Sequence, residues 1–117
     1  MRRLLALMIL CAVVWHSMNA QETWKVNWQG TSRSAIVDFP SSRPGQAGLP
    51  AVFVLHGWGL MASEMRDSAT QFHRLGDSVG FVTIYPEGIN LRWNSGIGDN
   101  KDWPAPKVDD VGFISKI

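Results

Sequence analysis

The chain is 117 residues long, 45% hydrophobic by composition, and carries 11 basic against 10 acidic side chains. That length suits one small domain and not two, and the apolar share requires a packed core and excludes wholesale disorder. A net charge of +1 with no internal basic block excludes nucleic acid as an implied partner.

Residues 1–20 have the layout of a secretory signal peptide. Arg2 and Arg3 form a positive start, and Leu4 to Trp15 form an apolar stretch too short for a comfortable membrane span. Met18-Asn19-Ala20 then supplies a cleavage site before Gln21, although Met is large for its position. A buried or anchoring N-terminal helix is the other reading of the same stretch. Removal of the signal takes two of the eleven basic residues and leaves nine against ten acidic ones, a nearly neutral surface with no stable membrane anchor. Cys11 is the only cysteine and follows Leu10, where a lipidation site needs a small residue. The mature chain, residues 21–117, is therefore expected to contain no thiol for a disulfide, a nucleophile or a metal, as suits an exported bacterial protein.

Thr23-Trp24-Lys25-Val26-Asn27-Trp28 alternates as a strand, Gln29-Gly30-Thr31 is a turn, and Ser34 to Phe39 is the antiparallel partner in an edge hairpin. Trp24, Val26 and Trp28 share a face and are expected to cover the sheet. Pro40 to Leu49 is a Ser/Pro/Gly loop. Ala51-Val52-Phe53-Val54-Leu55 is a short apolar run without alternation, which predicts a strand buried on both faces. It ends in His56-Gly57-Trp58-Gly59, where two glycines permit a sharp turn at the end of a strand, the place where open α/β sheets bind ligands. Ser63 can cap a helix running to about Val79, with Met65, Ala69, Phe72, Leu75 or Gly76, and Val79 as its buried stripe and Gly80 as its left-handed stop. Phe81 to Tyr85 is a second apolar strand, which completes a βαβ unit. Pro86 to Lys107 is a long Gly/Asn/Pro/Trp-rich loop, of the kind often used for binding. Asp109 caps a final helix whose inward residues are expected to be Val111, Ile114 and Ile117.

Four motifs occur in order: Val54-Leu55-His56-Gly57-Trp58, Tyr85-Pro86-Glu87-Gly88, Arg92-Trp93-Asn94-Ser95-Gly96, and Val108-Asp109-Asp110-Val111-Gly112-Phe113-Ile114. Together they resemble the N-terminal part of the secreted esterases grouped as poly(3-hydroxybutyrate) depolymerases and feruloyl esterases. The resemblance covers roughly Trp24 to the end. It implies the α/β-hydrolase fold, a three-layer, mostly parallel sheet with an antiparallel N-terminal hairpin. It further implies a serine carboxylic-ester hydrolase needing no cofactor, with polyester or feruloyl or acetyl polysaccharide esters as substrate.

The resemblance places the backbone N–H of Trp58 in the oxyanion hole, with Gly57 and His56 supporting the loop. Because the base comes last in this family, His56 is expected to brace the loop by hydrogen bonding, not to transfer a proton. His73 is expected to be a solvated helical side chain. No Gly-x-Ser-x-Gly elbow occurs in the sequence, and Ser95 does not sit between a strand and a helix. The expectation is a domain cut before its nucleophile elbow: inert alone, with an exposed sheet edge and apolar face.

Asp99, Asp102, Asp109 and Asp110 lack the spacing of a calcium loop, so helix capping and loop anchoring are expected and no metal site is assigned. Trp93 and Trp103 suit either substrate binding or core filling. The rival reading is a small secreted tryptophan-rich module that binds a carbohydrate or polymer without catalysis.

Overall fold

The computed structural model describes residues 21–95 and 106–117. The signal-like segment, Trp103 and the acidic positions 99 and 102 lie outside the described residues.

Strands β1 (Gln21–Trp28) and β2 (Thr31–Asp38) form the expected antiparallel hairpin. Its two-residue turn places both Gln29 (φ 49°) and Gly30 (φ 79°) in the left-handed region, the geometry that matches the twist of paired strands. Strand β3 (Ala51–Phe53) runs parallel to β4 (Val82–Pro86), and β4 pairs antiparallel with β2. The sheet order is therefore β1-β2-β4-β3. Among the described residues the sheet is mixed, with two antiparallel pairings and one parallel, and not mostly parallel as expected.

The strand buried on both faces is β4, every residue of which is buried, while Ala51, Phe53 and Leu55 around β3 are exposed. An apolar run of this kind specifies a strand but not its place in the sheet. The β3 edge has no neighbouring strand among the described residues, so its outer face stays open. Phe53 and Leu55, at 38% and 42% exposure, are the apolar edge the sequence led us to expect.

Helices cover both faces. Ala35, Val37, Val82 and Ile84 form one core, against which Trp24, Phe39, Leu49 and Ile117 pack. Val54, Ala62 and Tyr85 form the other, with Ile36, Val52 and Met65. On the first face lies α3 (Asp110–Lys116), capped by Asp109, whose carboxylate accepts from Gly112 N at 2.8 Å as expected. Its buried side is Asp110 and Phe113, whereas Val111 is 78% exposed, contrary to the sequence reading. The helix turns its one acidic first-turn residue inward because a buried cation waits there.

On the second face the single helix expected over 63–79 is broken. A short α1 (Ala62–Glu64) runs into a π-helical turn, Met65–Ala69, and α2 (Phe72–Val79) begins afresh. Thr70 closes the π turn through both its amide and its hydroxyl, each donating to Met65 O. Gln71 then turns left-handed (φ 52°), and the buried phenol oxygen of Tyr85 accepts from His73 N at 3.0 Å. A sheet residue thus caps α2 from the side, and Ser63 caps nothing. The restart shifts the helical phase, so Gly76 faces β4 while Ala69, Phe72, Leu75 and Val79 are exposed. Gly76 must be glycine, since a Cβ there would lie 2.7 Å from Phe81 O. Gly80, at φ 96°, ends α2 as expected.

Candidate active site

Parallel neighbours send their following loops out at the same end of the sheet. The turn after β3, His56 to Gly59, therefore emerges beside the loop after β4, Glu87 to Arg92. Open α/β sheets bind ligands at this end.

His56 is the pin between the two loops. Its side chain is fully buried. Nδ1 lies 2.8 Å from the carbonyl oxygen of Gly57, and Gly88 N donates to Nε2 at 2.9 Å. A carbonyl oxygen can only accept, so Nδ1 carries the proton, and Nε2 is left to receive from Gly88. Trp93 packs its ring on the imidazole, with centroids 4.9 Å apart, and donates from Nε1 to His56 O at 2.9 Å. Both ring nitrogens of His56 are thereby engaged with backbone. No hydrogen bond joins it to Ser95, whose amide donates to Trp93 O.

Three further contacts fix the pair of loops. Gly59 N donates to Leu91 O at 3.0 Å, and Leu60 N to Gly57 O at 3.2 Å. Asn90 and Leu91 hold left-handed backbone (φ 51° and 59°) at the tip of a tight turn closed by Arg92 N to Ile89 O. For a branched side chain such as Leu91 that conformation is costly, and it persists because the surrounding bonds determine it. Gly88 has no room for a side chain, since a Cβ would collide with Arg92 O and sit 3.0 Å from His56 Nε2. Trp58 lies on the turn outside the sheet ladder and is 65% exposed.

The residue that sequence reasoning missed is Glu87. Its Oε2 accepts from Ala62 N, the first amide of α1, at 3.0 Å, and its Oε1 lies 3.1 Å from His56 Nε2. Its backbone is held too, by Ser34 O below its amide and by the Arg33 guanidinium at its carbonyl. Arg33 is itself buried, bonded to Asp110 Oδ1 at 2.8 Å and stacked 4.0 Å over the Phe113 ring. Asp110 Oδ2 accepts from Asn94 N at 2.6 Å, which anchors the loop as expected of that carboxylate. The only sequence signal for Glu87 was its place in Tyr85-Pro86-Glu87-Gly88. Nothing local could reveal that His56, some thirty positions earlier, would meet it.

The opposite end of the sheet carries a cavity of about 290 Å³, lined by Gln21, Asp38, Phe39, Arg66, His73 and Asp77 among others. Asp38 binds Arg66 through both carboxylate oxygens, and Asp67 takes its third contact. These charges are spent on one another. His73 is half-buried here, with Nδ1 unpartnered among the described residues, not the solvated side chain expected. No group of three or more metal-binding side chains occurs among the described residues. No helix there is long and apolar enough to cross a membrane.

Two solved structures are similar to this chain as a whole. One is S-formylglutathione hydrolase from Staphylococcus aureus, in its apo form, with a TM-score of 0.49 at 14% identity over 84% of this chain and 41% of that one. The other is a ferulic acid esterase, with a TM-score of 0.46 at 20% identity over 82% of this chain and 42% of that one. The chain thus spans about two-fifths of the length of each. No protein-family model and no curated protein matches it.

Proposed function

We propose that residues 21–117 are the first part of an exported serine carboxylic-ester hydrolase of α/β-hydrolase fold, and that the His56-Gly57-Trp58 turn supplies half of its oxyanion hole. In this reading the backbone N–H of Trp58 holds the oxygen that becomes negative when an ester carbonyl is attacked, and Gly57 allows the close approach. The nucleophilic serine, the acid and the base come from a longer polypeptide of which these residues form the beginning. Polyesters and feruloyl or acetyl esters of polysaccharides are the proposed substrates, and Trp93 and Trp103 the proposed aromatic contacts.

The observation that carries the reading is the rigid turn at the carboxyl end of β3, pinned by His56 to the β4 loop before any ligand arrives. Preorganised donors are what acyl transfer requires, because they need no rearrangement as charge develops. The binding-module alternative needs a flat aromatic platform. Trp24 instead meets the Phe39 ring at a tilt and is bonded to Glu22, Trp28 lies against Gly112, and Trp93 is bonded to His56.

The decisive test is a pair of substitutions in a hydrolytically active longer polypeptide. Trp58→Pro deletes the N–H and Trp58→Ala keeps it. Loss of one oxyanion donor is expected to lower kcat by roughly 10²–10³-fold in the proline variant and far less in the alanine variant. Equal losses in the two would refute the assignment of the amide. Turnover of a simple phenolic ester by the 117-residue chain alone would refute the absence of the nucleophile.

A further inference from the structure

The tip of the β4 loop is a turn that favours glycine, and a leucine occupies it. Ile89 to Arg92 is a two-residue hairpin turn, bridged antiparallel at its ends and closed by Arg92 N donating to Ile89 O at 3.1 Å. Its central residues, Asn90 and Leu91, both hold left-handed backbone, at φ 51° and 59°. Turns of this class take Asn-Gly by preference, because glycine carries no Cβ to clash at the second position. Leu91 bears that clash and gains little packing in return, since it is 40% exposed. The folding of these residues gives no reason for a leucine there, so the reason lies in what the side chain meets from outside.

The neighbouring turn shows the same pattern. Leu91 O accepts from Gly59 N at 3.0 Å, which sets Leu91 beside the turn after β3. On that turn Trp58, Gly59, Leu60 and Met61 are all exposed. Leu60 folds back over the turn, its Cδ1 3.9 Å from where a Cβ on Gly57 would stand. An exposed run of this kind, apolar apart from one glycine, is unfavourable in water and marks a surface that something apolar covers. The backbone polar atoms here are engaged within the loops, Gly59 N with Leu91 O and Leu60 N with Gly57 O. What the loops offer outward is therefore mainly hydrocarbon, which suits an alkyl chain and not the hydroxyl groups of a sugar.

Other apolar side chains are exposed elsewhere, Phe53 and Leu55 along the open β3 edge and Phe72, Leu75 and Val79 on α2. The patch at Trp58 and Leu91 differs in lying at the ligand-binding end of the parallel strands, next to the amide assigned to the oxyanion hole. We propose that Trp58, Leu60, Met61 and Leu91 form a ledge for the aliphatic acyl chain of the ester, and that Leu91 sets a preference for chains longer than acetyl. This rests on the esterase reading for its substrate and narrows that substrate to aliphatic esters.

The test uses the 117-residue chain as wild type, Leu91→Gly and Leu91→Asn, both replacements being residues that accept left-handed backbone. Methyl hexanoate and methyl acetate are titrated separately, with the methyl resonances of Leu60, Met61 and Leu91 and the Trp58 indole followed by NMR. In the wild type, methyl hexanoate should shift these resonances at concentrations where methyl acetate does not. Both variants should bind methyl hexanoate at least about fourfold more weakly, the worth of one buried methylene. The melting temperature of Leu91→Gly should stay level or rise. No response to methyl hexanoate, an equal response to both esters, or undiminished binding in the variants overturns the ledge. Shifts of the same resonances on dilution without ester would place a second copy there and overturn the acyl assignment. A melting temperature lowered by more than about 4 °C in Leu91→Gly would mean that Leu91 packs the protein, and would overturn the argument from strain. None of these readouts requires hydrolysis, so the two readings can fail separately. Equal losses in Trp58→Pro and Trp58→Ala would end the amide assignment and leave a ledge that binds alkyl chains; loss of ester discrimination would end the ledge and leave the amide.

Discussion

Replacing Arg33 with methionine would keep most of the side-chain volume and remove one buried charge. In the native protein that guanidinium, on a residue only 4% exposed, serves Asp110 at 2.8 Å and Glu87 O at 3.1 Å and lies over the face of Phe113. In Arg33→Met the Asp110 carboxylate, equally buried, would keep only Asn94 N among the described residues and lose its counter-charge. Breaking a buried pair on one side costs about 3–5 kcal/mol, chiefly because the remaining charge is stranded. A domain of this size has only about 5–15 kcal/mol in total, so the single variant should sit near the edge of unfolding. The double variant Arg33→Met, Asp110→Asn strands nothing and should lose less than the two singles added together, by more than about 1 kcal/mol. Urea unfolding of the four proteins closes the cycle. Additive losses, with each single variant below about 1 kcal/mol, would mean that the pair is effectively solvated and that α3 is held by Phe113 alone.

Three other expectations can be checked on the same footing. Tyr85→Phe withdraws the phenol oxygen that accepts from His73 N; thermal unfolding should show a loss of about 1–3 kcal/mol, and amide exchange should rise first in the opening turn of α2. Gly112→Ala would drive a methyl group into the Asp109 carboxylate and the Trp28 ring; overpacking of this kind costs about 1–3 kcal/mol in denaturant unfolding and should free the β1 indole. The Asp77 carboxyl is held below its ordinary range by the Ser41 hydroxyl and then by the Ser41 amide, both donating to it at 2.6 Å. The folded form therefore binds that proton less readily than the unfolded chain. Its contribution is present above the unfolded value of about 3.9 and is lost as the pH falls through the lower folded value. A pH series of melting temperatures should show a shallower acid decline in Asp77→Asn.

What could be read in the sequence was what is written locally. The hairpin turn at Gln29-Gly30, the stop at Gly80 and the cap at Asp109 each depend on residues within a few positions, and all three stand as expected. The errors share one cause, which is a partner from far along the chain. Helical periodicity carried the second-face helix straight through Gln71, because the group that caps its restart belongs to Tyr85 on a strand. Val111 was expected inward on its hydrophobicity, yet the helix is oriented by Asp110 seeking Arg33, 77 positions away. The apolar run Ala51 to Leu55 correctly announced a strand, but whether a strand is central or at an edge is decided by its neighbours. At the site the same rule held. The expectation that His56 braces its loop came from the family resemblance and not from local spacing, whereas Glu87 became visible only once β3 and β4 were laid side by side.

The bond from Gly59 to the Leu91 carbonyl makes two segments more than thirty residues apart share one measurement. Adding or deleting a residue between Gly88 and Leu91 would carry that carbonyl away from the β3 turn, while the exposed tip at 45–48 could absorb such a change without touching either. Transplanting the His56 turn onto another scaffold would therefore fail unless the spacing of the β4 loop travelled with it. The heritable unit here is a matched pair of loops, and natural variation in their lengths should be correlated.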